Sequence, residues 1–189
     1  MKKVAVLLYP QFSNYECSVA LSILAQAEKP FDTFALSKAP VQSEEGLSVM
    51  PDLTLEELDS AAYDALLLPG CMDAKWFLDE DSYPEDVARY LRFVRQFDPM
   101  LQVIAAISSA PALLAKAGLL GERKFMIGMP PEAIEFLGFF KPENIAEATG
   151  ANPCICEDNV LTGVGSGFIQ FGVQFGEMLG LSFDPRWYG

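Results

Sequence analysis

The chain has 189 residues, 51% of them apolar, which is enough for one sizeable core and short for two. Thirteen basic against twenty-six acidic residues leave a net charge of −13, which repels phosphate backbones and anionic lipid and argues against nucleic-acid and membrane partners. There is no histidine, and its absence removes the commonest general base, the usual partner of a catalytic serine and the commonest metal ligand.

Lys3 to Tyr9 is an apolar run ended by Pro10, the pattern of a strand buried on both faces of a parallel sheet. It is too short to span a bilayer and no cleavage pattern precedes Gln11-Phe12-Ser13-Asn14, so it reads as the first strand of a cytoplasmic protein. Cys17, Ala20, Ile23, Leu24 and Ala27 then recur at helical spacing and predict a helix over Tyr15 to Glu28. Glu16 falls in its first turn. A carboxylate there complements the helix dipole, and the same position lies over the carboxyl edge of the sheet, where open α/β proteins place their sites.

Phe31 to Ser37 predicts a second strand and Val41 to Met50 a small hairpin with a polar tip. Thr54 with Glu57 three places on is a capping-box pattern that opens a short helix. Tyr63 to Leu68 is another buried strand, stopped by Pro69-Gly70 and followed at once by Cys71. Met72 to Tyr83 has no clean period and reads as a surface loop or a short irregular helix; Pro84 then opens a helix through Phe97 that buries Val87, Tyr90, Leu91 and Val94.

The most informative stretch is Leu101 to Pro111. A buried strand through Ile107 runs straight into a helix over Ala110 to Ala117, closed by Gly118, with serine at the junction. Ala106 and Ala110 flank Ser108 two places away on each side, the spacing that a nucleophile elbow needs; Ser109 lacks that pair. Beyond Gly121 the pattern predicts a strand at Phe125 to Gly128, a helix at Glu132 to Phe139 and a strand at Ile145 to Ala148 leading to Cys154-Ile155-Cys156. After the Asp158-Asn159 turn come a strand at Val160 to Val164, a flexible Gly165-Ser166-Gly167 crossing and a terminal helix whose aromatic stripe is read as core.

Four cysteines, Cys17, Cys71, Cys154 and Cys156, read as free thiols. Cys154-x-Cys156 has no second pair to complete a tetrahedral zinc site, so no metal is expected, and no motif calls for a cofactor.

In order and spacing, Asn14-Tyr15-Glu16, Tyr63 to Gly70 and Ala105 to Pro111 resemble the DJ-1/PfpI (ThiJ-like) family of the class I glutamine amidotransferase-like superfamily. Val160 to Gly167 with the final helix is similar to the family's closing strand and helix. The resemblance implies one domain over residues 1–189 with a three-layer, doubly wound, mostly parallel sheet of flavodoxin-like type. It also implies a reactive cysteine at the elbow, a glutamate from the first helix bonded to it, and an oxyanion hole of backbone amides. Carried over, these are Ser108, Glu16 and the amides near Gly70, Cys71 and Ser109. The positions where many members place a histidine hold Ser109 and, near the second, Met129. Self-association as a homodimer is implied by the resemblance only.

Serine at the elbow changes the chemistry, because a hydroxyl needs a base where a thiol can ionise unaided. Three readings follow. The first is a catalytically degenerate binding or regulatory module, stress-related by resemblance, that holds a small polar or carbonyl ligand. The second is an atypical hydrolase or amidase with Ser108 as nucleophile, Glu16 as partner and amides at Cys71 and Ser109 as oxyanion donors. The third moves the chemistry to the thiols of Cys71 or Cys17.

Overall fold

The computed structural model describes residues 1–189 and turns the apolar runs into one sheet. Its strands, in chain order, are β1 (Lys3–Leu7), β2 (Phe31–Ala35), β5 (Leu53–Thr54), β6 (Tyr63–Leu68), β7 (Val103–Ile107), β8 (Cys154–Glu157) and β9 (Val160–Gly163), while β3 (Val41–Gln42) and β4 (Ser48–Val49) form a separate hairpin. The spatial order is β5-β2-β1-β6-β7-β9-β8, parallel throughout except for β8, which runs antiparallel to β9 at the edge. Val4 to Leu7, Ala65 to Leu68 and all of β7 are buried, as expected for strands covered on both faces.

Six α-helices cover the sheet: α1 (Asn14–Gln26), α2 (Lys75–Leu78), α3 (Pro84–Val94), α4 (Pro111–Ala117), α5 (Pro131–Leu137) and α6 (Phe168–Met178). α1 packs on α6, and α2, α3 and α4 pack on one another, which gives the three layers and the mostly parallel flavodoxin-like sheet that the resemblance implies. The α6 stripe is core, with Phe171 and Phe175 fully buried.

The structure departs from the sequence reading in two places. Thr54 and Leu53 belong to edge strand β5, and the Thr54–Glu57 capping pair opens only a single 3-10 turn, Leu55–Glu57, with the Thr54 N–H donating to Glu57 Oε2 at 2.7 Å. Phe125 to Gly128 and Ile145 to Ala148 are not strands; they meet in one bridge, Phe125 to Ile145. Phe125, Met126 and Ile127 are buried, but the Met126 N–H donates to the Thr162 hydroxyl at 2.9 Å and so takes no place in a ladder. For Phe125 to Ile127, apolar burial with no pairing beyond that one bridge accounts for the misreading.

The α1–α6 contact depends on a close approach at Gly172, where a Cβ would lie 2.7 Å from both the Ala20 nitrogen and Val19 Cγ1. Alanine favours a helix over glycine by about 1 kcal/mol, whereas overpacking costs about 1–3 kcal/mol, so the clash wins. Gly172→Ala is expected to lower stability by a net of up to about 2 kcal/mol, read as a lower urea midpoint at unchanged m-value. An equal or higher midpoint would show that the two helices can separate freely.

Candidate functional site

In the sheet β1 lies between β2 and β6, so the chain leaves the carboxyl end of β1 in one direction and later returns on the other side. Reversals of this kind open a crevice at the carboxyl edge of a doubly wound sheet. α1 begins beside that edge, Pro69-Gly70 follows β6 and Ser108 follows β7, so residues 16, 70 and 108 converge there.

Ser108 has φ +60°, a left-handed conformation uncommon for a side chain other than glycine. Strain of this kind costs on the order of 1–3 kcal/mol and persists only where surrounding bonds enforce it. Here the Ser108 N–H donates to the Gly163 carbonyl at 2.8 Å and its carbonyl accepts from the Gly128 N–H at 2.7 Å. Ala106 and Ala110 are fully buried behind it.

Glu16 is buried in the same corner, 3% exposed. Its Oε2 accepts the Gly70 N–H at 2.8 Å and its Oε1 accepts the Tyr15 hydroxyl at 3.3 Å. Two glycines make the room. A Cβ on Gly70 would fall against Glu16 Oε2 and 2.9 Å from Ser108 Oγ, and one on Gly165 would fall against Glu16 Oε1. Burial pushes the carboxyl from its ordinary 4.5 up to about 7, against the pull of the Ser108 hydroxyl, the Gly70 N–H and the Tyr15 hydroxyl; the Glu44 carboxylate adds an upward push.

The first turn of α1 is fixed from a distance. Ser13 stands at the N-cap, yet its hydroxyl is buried without a partner. The hairpin residue Glu45 caps the helix instead, accepting the N–H groups of Asn14 at 3.1 Å and Tyr15 at 3.0 Å. Sequence reasoning missed Glu45, Tyr15 and Gly165. Tyr15 adjoins Glu16 in the chain, but nothing local marks Glu45, thirty residues away.

The amides expected as an oxyanion hole are differently disposed. The Gly70 N–H is engaged by Glu16, and the Cys71 N–H donates to Ser109 Oγ at 3.0 Å while that hydroxyl donates back to the Cys71 carbonyl at 3.2 Å. Ser109, buried, therefore clamps the turn after β6 from both sides. Of the three, the Ser109 N–H alone makes no hydrogen bond within the protein. The thiols nearby are not activated: burial pushes both Cys17 and Cys71 up to about 12. Cys154 and Cys156 sit away from the corner on β8, where Cys156 is exposed.

Ser108 and Ser109 open onto a cleft of about 840 Å³. α2 with the residues around it forms one wall, and Met129, Pro130 and α5 form the other. No group of three or more histidine, cysteine, aspartate or glutamate side chains is placed to hold a metal ion, and no helix is long and apolar enough to cross a membrane.

Two outcomes follow from these acidities. The unfolded Glu16 carboxyl titrates near 4.5 and the folded one near 7, so between those values the folded state holds the extra proton. Its contribution to stability is then greatest at and below pH 4.5 and declines as pH rises to 7, by about 3 kcal/mol in all. Glu16→Gln keeps an acceptor for the Gly70 N–H and cannot titrate. Urea unfolding at pH 5 and pH 8 should therefore show a smaller pH loss in this variant than in the parent, and equal losses would place the folded carboxyl near its ordinary value. In iodoacetamide mapping at neutral pH, the exposed Cys156 is expected to react first and Cys17 and Cys71 last; prior modification of Cys71 would contradict its inert setting.

The comparisons with known proteins agree with this architecture. The DJ-1/PfpI family model matches residues 2–178. The chain is 27% identical over 127 residues to a catalase HPII of Pseudomonas aeruginosa, covering 67% of this chain but only 17% of the catalase's length. It is 24% identical over 161 residues to an uncharacterized protein of Methanocaldococcus jannaschii, covering 85% of this chain and 73% of that protein. Among solved structures it superposes on a DJ-1 superfamily protein from Agrobacterium tumefaciens with a TM-score of 0.77 at 22% identity, covering 98% and 93% of the two chains. A cysteine-to-alanine mutant of a DJ-1 superfamily protein from Salmonella typhimurium gives 0.72 at 28% identity, covering 98% and 95%. The chain belongs to the DJ-1/PfpI family.

Proposed function

We propose that this protein is a ligand-binding member of the DJ-1/PfpI family, one that keeps the elbow pocket and lacks the thiol chemistry implied by the resemblance. The supporting observation is Ser108 itself: a strained elbow residue at φ +60°, packed with Glu16 over Gly70 and open to a large cleft. A strained backbone held by the Gly163 carbonyl and the Gly128 N–H is a device for presenting a side chain, and the side chain presented is a hydroxyl. The Ser108 hydroxyl and the Ser109 N–H offer hydrogen bonds to a small polar or carbonyl ligand, and no histidine stands by to turn binding into hydrolysis. Within this reading the protein acts in the cytoplasm as a stress-related or regulatory homodimer, on the family resemblance alone.

A hydrolase reading has one observation in its favour, the Glu16 carboxyl near pH 7, which suits a general base. Against it, only one corner amide is free to stabilise an oxyanion, where removing a single such donor typically costs on the order of 10²–10³ in rate.

Ser108→Cys separates these ideas. In the binding reading, the variant gains reaction with a small electrophile such as chloroacetamide at the elbow, while the parent is not labelled there by a fluorophosphonate. A folded Ser108→Cys variant that stays unreactive would refute an accessible elbow pocket, and fluorophosphonate labelling of Ser108 that weakens in Glu16→Gln would establish the hydrolase instead.

A further inference from the structure

The charged groups of the cleft are unevenly matched. Four carboxylates line it, those of Asp73, Asp79, Glu80 and Asp81, against the two ammonium groups of Lys75 and Lys116. Both cations are already held. Lys75 Nζ lies 2.6 Å from Asp73 Oδ2 and stacks over the Trp76 ring at 5.0 Å, and Lys116 Nζ lies 3.2 Å from Glu80 Oε2 and over the Phe139 ring at 5.5 Å. Asp79 and Asp81 form no ion pair; Asp79 accepts the N–H groups of Asp81 and Ser82 and the Ser82 hydroxyl, with Lys75 as a more distant attraction, and the Asp81 side chain makes no hydrogen bond. An anionic ligand would therefore find no free cation, and would have to break an existing pair or face a lining with two more carboxylates than ammonium groups.

The apolar groups are equally uneven. Met72, 69% exposed, stands at the elbow end of one wall, and Phe136, 89% exposed, on the other. α5, which carries Phe136, contains no buried residue at all. Large apolar side chains left open around a polar corner are characteristic of a surface that is covered when a ligand is bound.

We infer that the cleft selects small amphipathic organic cations: molecules whose hydrogen-bond acceptor reaches the Ser108–Ser109 corner, whose apolar group lies between Met72 and Phe136, and whose ammonium or guanidinium group faces Asp79 and Asp81. This inference rests on the proposed reading of the cleft as a ligand site and adds the charge and polarity of what enters it. A cation also gains from the exposed Phe136 ring face, which an anion does not. Long-range attraction acts in the same sense, because the whole chain carries a charge of −13.

The test uses three probes of similar size that share a benzoyl group and an amide: N-(2-aminoethyl)benzamide as the cation, N-propylbenzamide as the neutral form and N-benzoylglycine as the anion. With methionine methyl groups labelled, Met72 and Met129 report occupancy of the cleft by NMR. At low ionic strength the cation is expected to bind about tenfold more tightly than the anion, with the neutral probe between them. That ratio should shrink in Asp81→Asn, whose exposed side chain makes no hydrogen bond or ion pair within the protein, and in 0.5 M salt. Equal or tighter binding of N-benzoylglycine would overturn the charge selectivity and leave the cleft standing as a ligand site. Absence of any Met72 or Met129 shift with all three probes would overturn the ligand-site reading itself.

Discussion

The hydrogen bond from the Gly70 N–H to Glu16 Oε2 joins the turn after β6 to the first turn of α1, and the geometry of the corner depends on it. It exists because neither Gly70 nor Gly165 has a side chain to occupy the carboxyl's place. Once enclosed there, Glu16 has little water, so its acidity is set by burial, and Ser108 is left as the polar group that faces outward. A larger residue at position 70 would meet Glu16 and Ser108 together, so the glycine is a requirement of both groups at once. The turn is further fixed by the two-way clamp of Ser109 on Cys71, which spends a buried hydroxyl on architecture.

The same enclosure defines what the corner can do. A thiol at this elbow would sit beside a carboxyl and could ionise by its own acidity; a hydroxyl cannot. With the Gly70 and Cys71 amides turned inward, the site offers one free backbone donor and one hydroxyl, which is sufficient to orient a carbonyl or hydroxyl group and poor equipment for stabilising a developing negative charge. The buried thiols of Cys17 and Cys71 do not compensate, because burial disfavours their reactive form.

Much of this was legible in the sequence, for physical reasons that differ by element. β1, β6 and β7 are short apolar runs, the first two followed by Pro10 and by Pro69-Gly70, and such runs have few alternatives to a buried parallel strand. The elbow was legible because small residues two places either side of Ser108 leave a spacing that few other structures need. Glu16 was found by its position in a first turn beside the sheet edge. What escaped was non-local. Glu45 caps α1 from a hairpin tip, Gly165 meets Glu16 from the turn after β9, and the Phe125 to Ile127 run is buried by tertiary contacts while the Met126 N–H bonds a side chain. The engagement of the Gly70 and Cys71 amides also depends on side chains distant in sequence, and no local pattern announces it.

The β3–β4 hairpin stands outside the three layers, with strands of two residues each and a largely solvent-facing tip. Through Glu45 it seats the start of α1, and through Glu44 it raises the proton affinity of the carboxyl behind the elbow. The elbow's shape is thus set by the deeply packed sheet and its electrostatics partly by a surface appendage. Substitution of Glu44 alone retunes the protonation of Glu16 while the Glu45 cap, the core and every residue that lines the cleft stay in place, so at this one position acidity can change with the architecture kept.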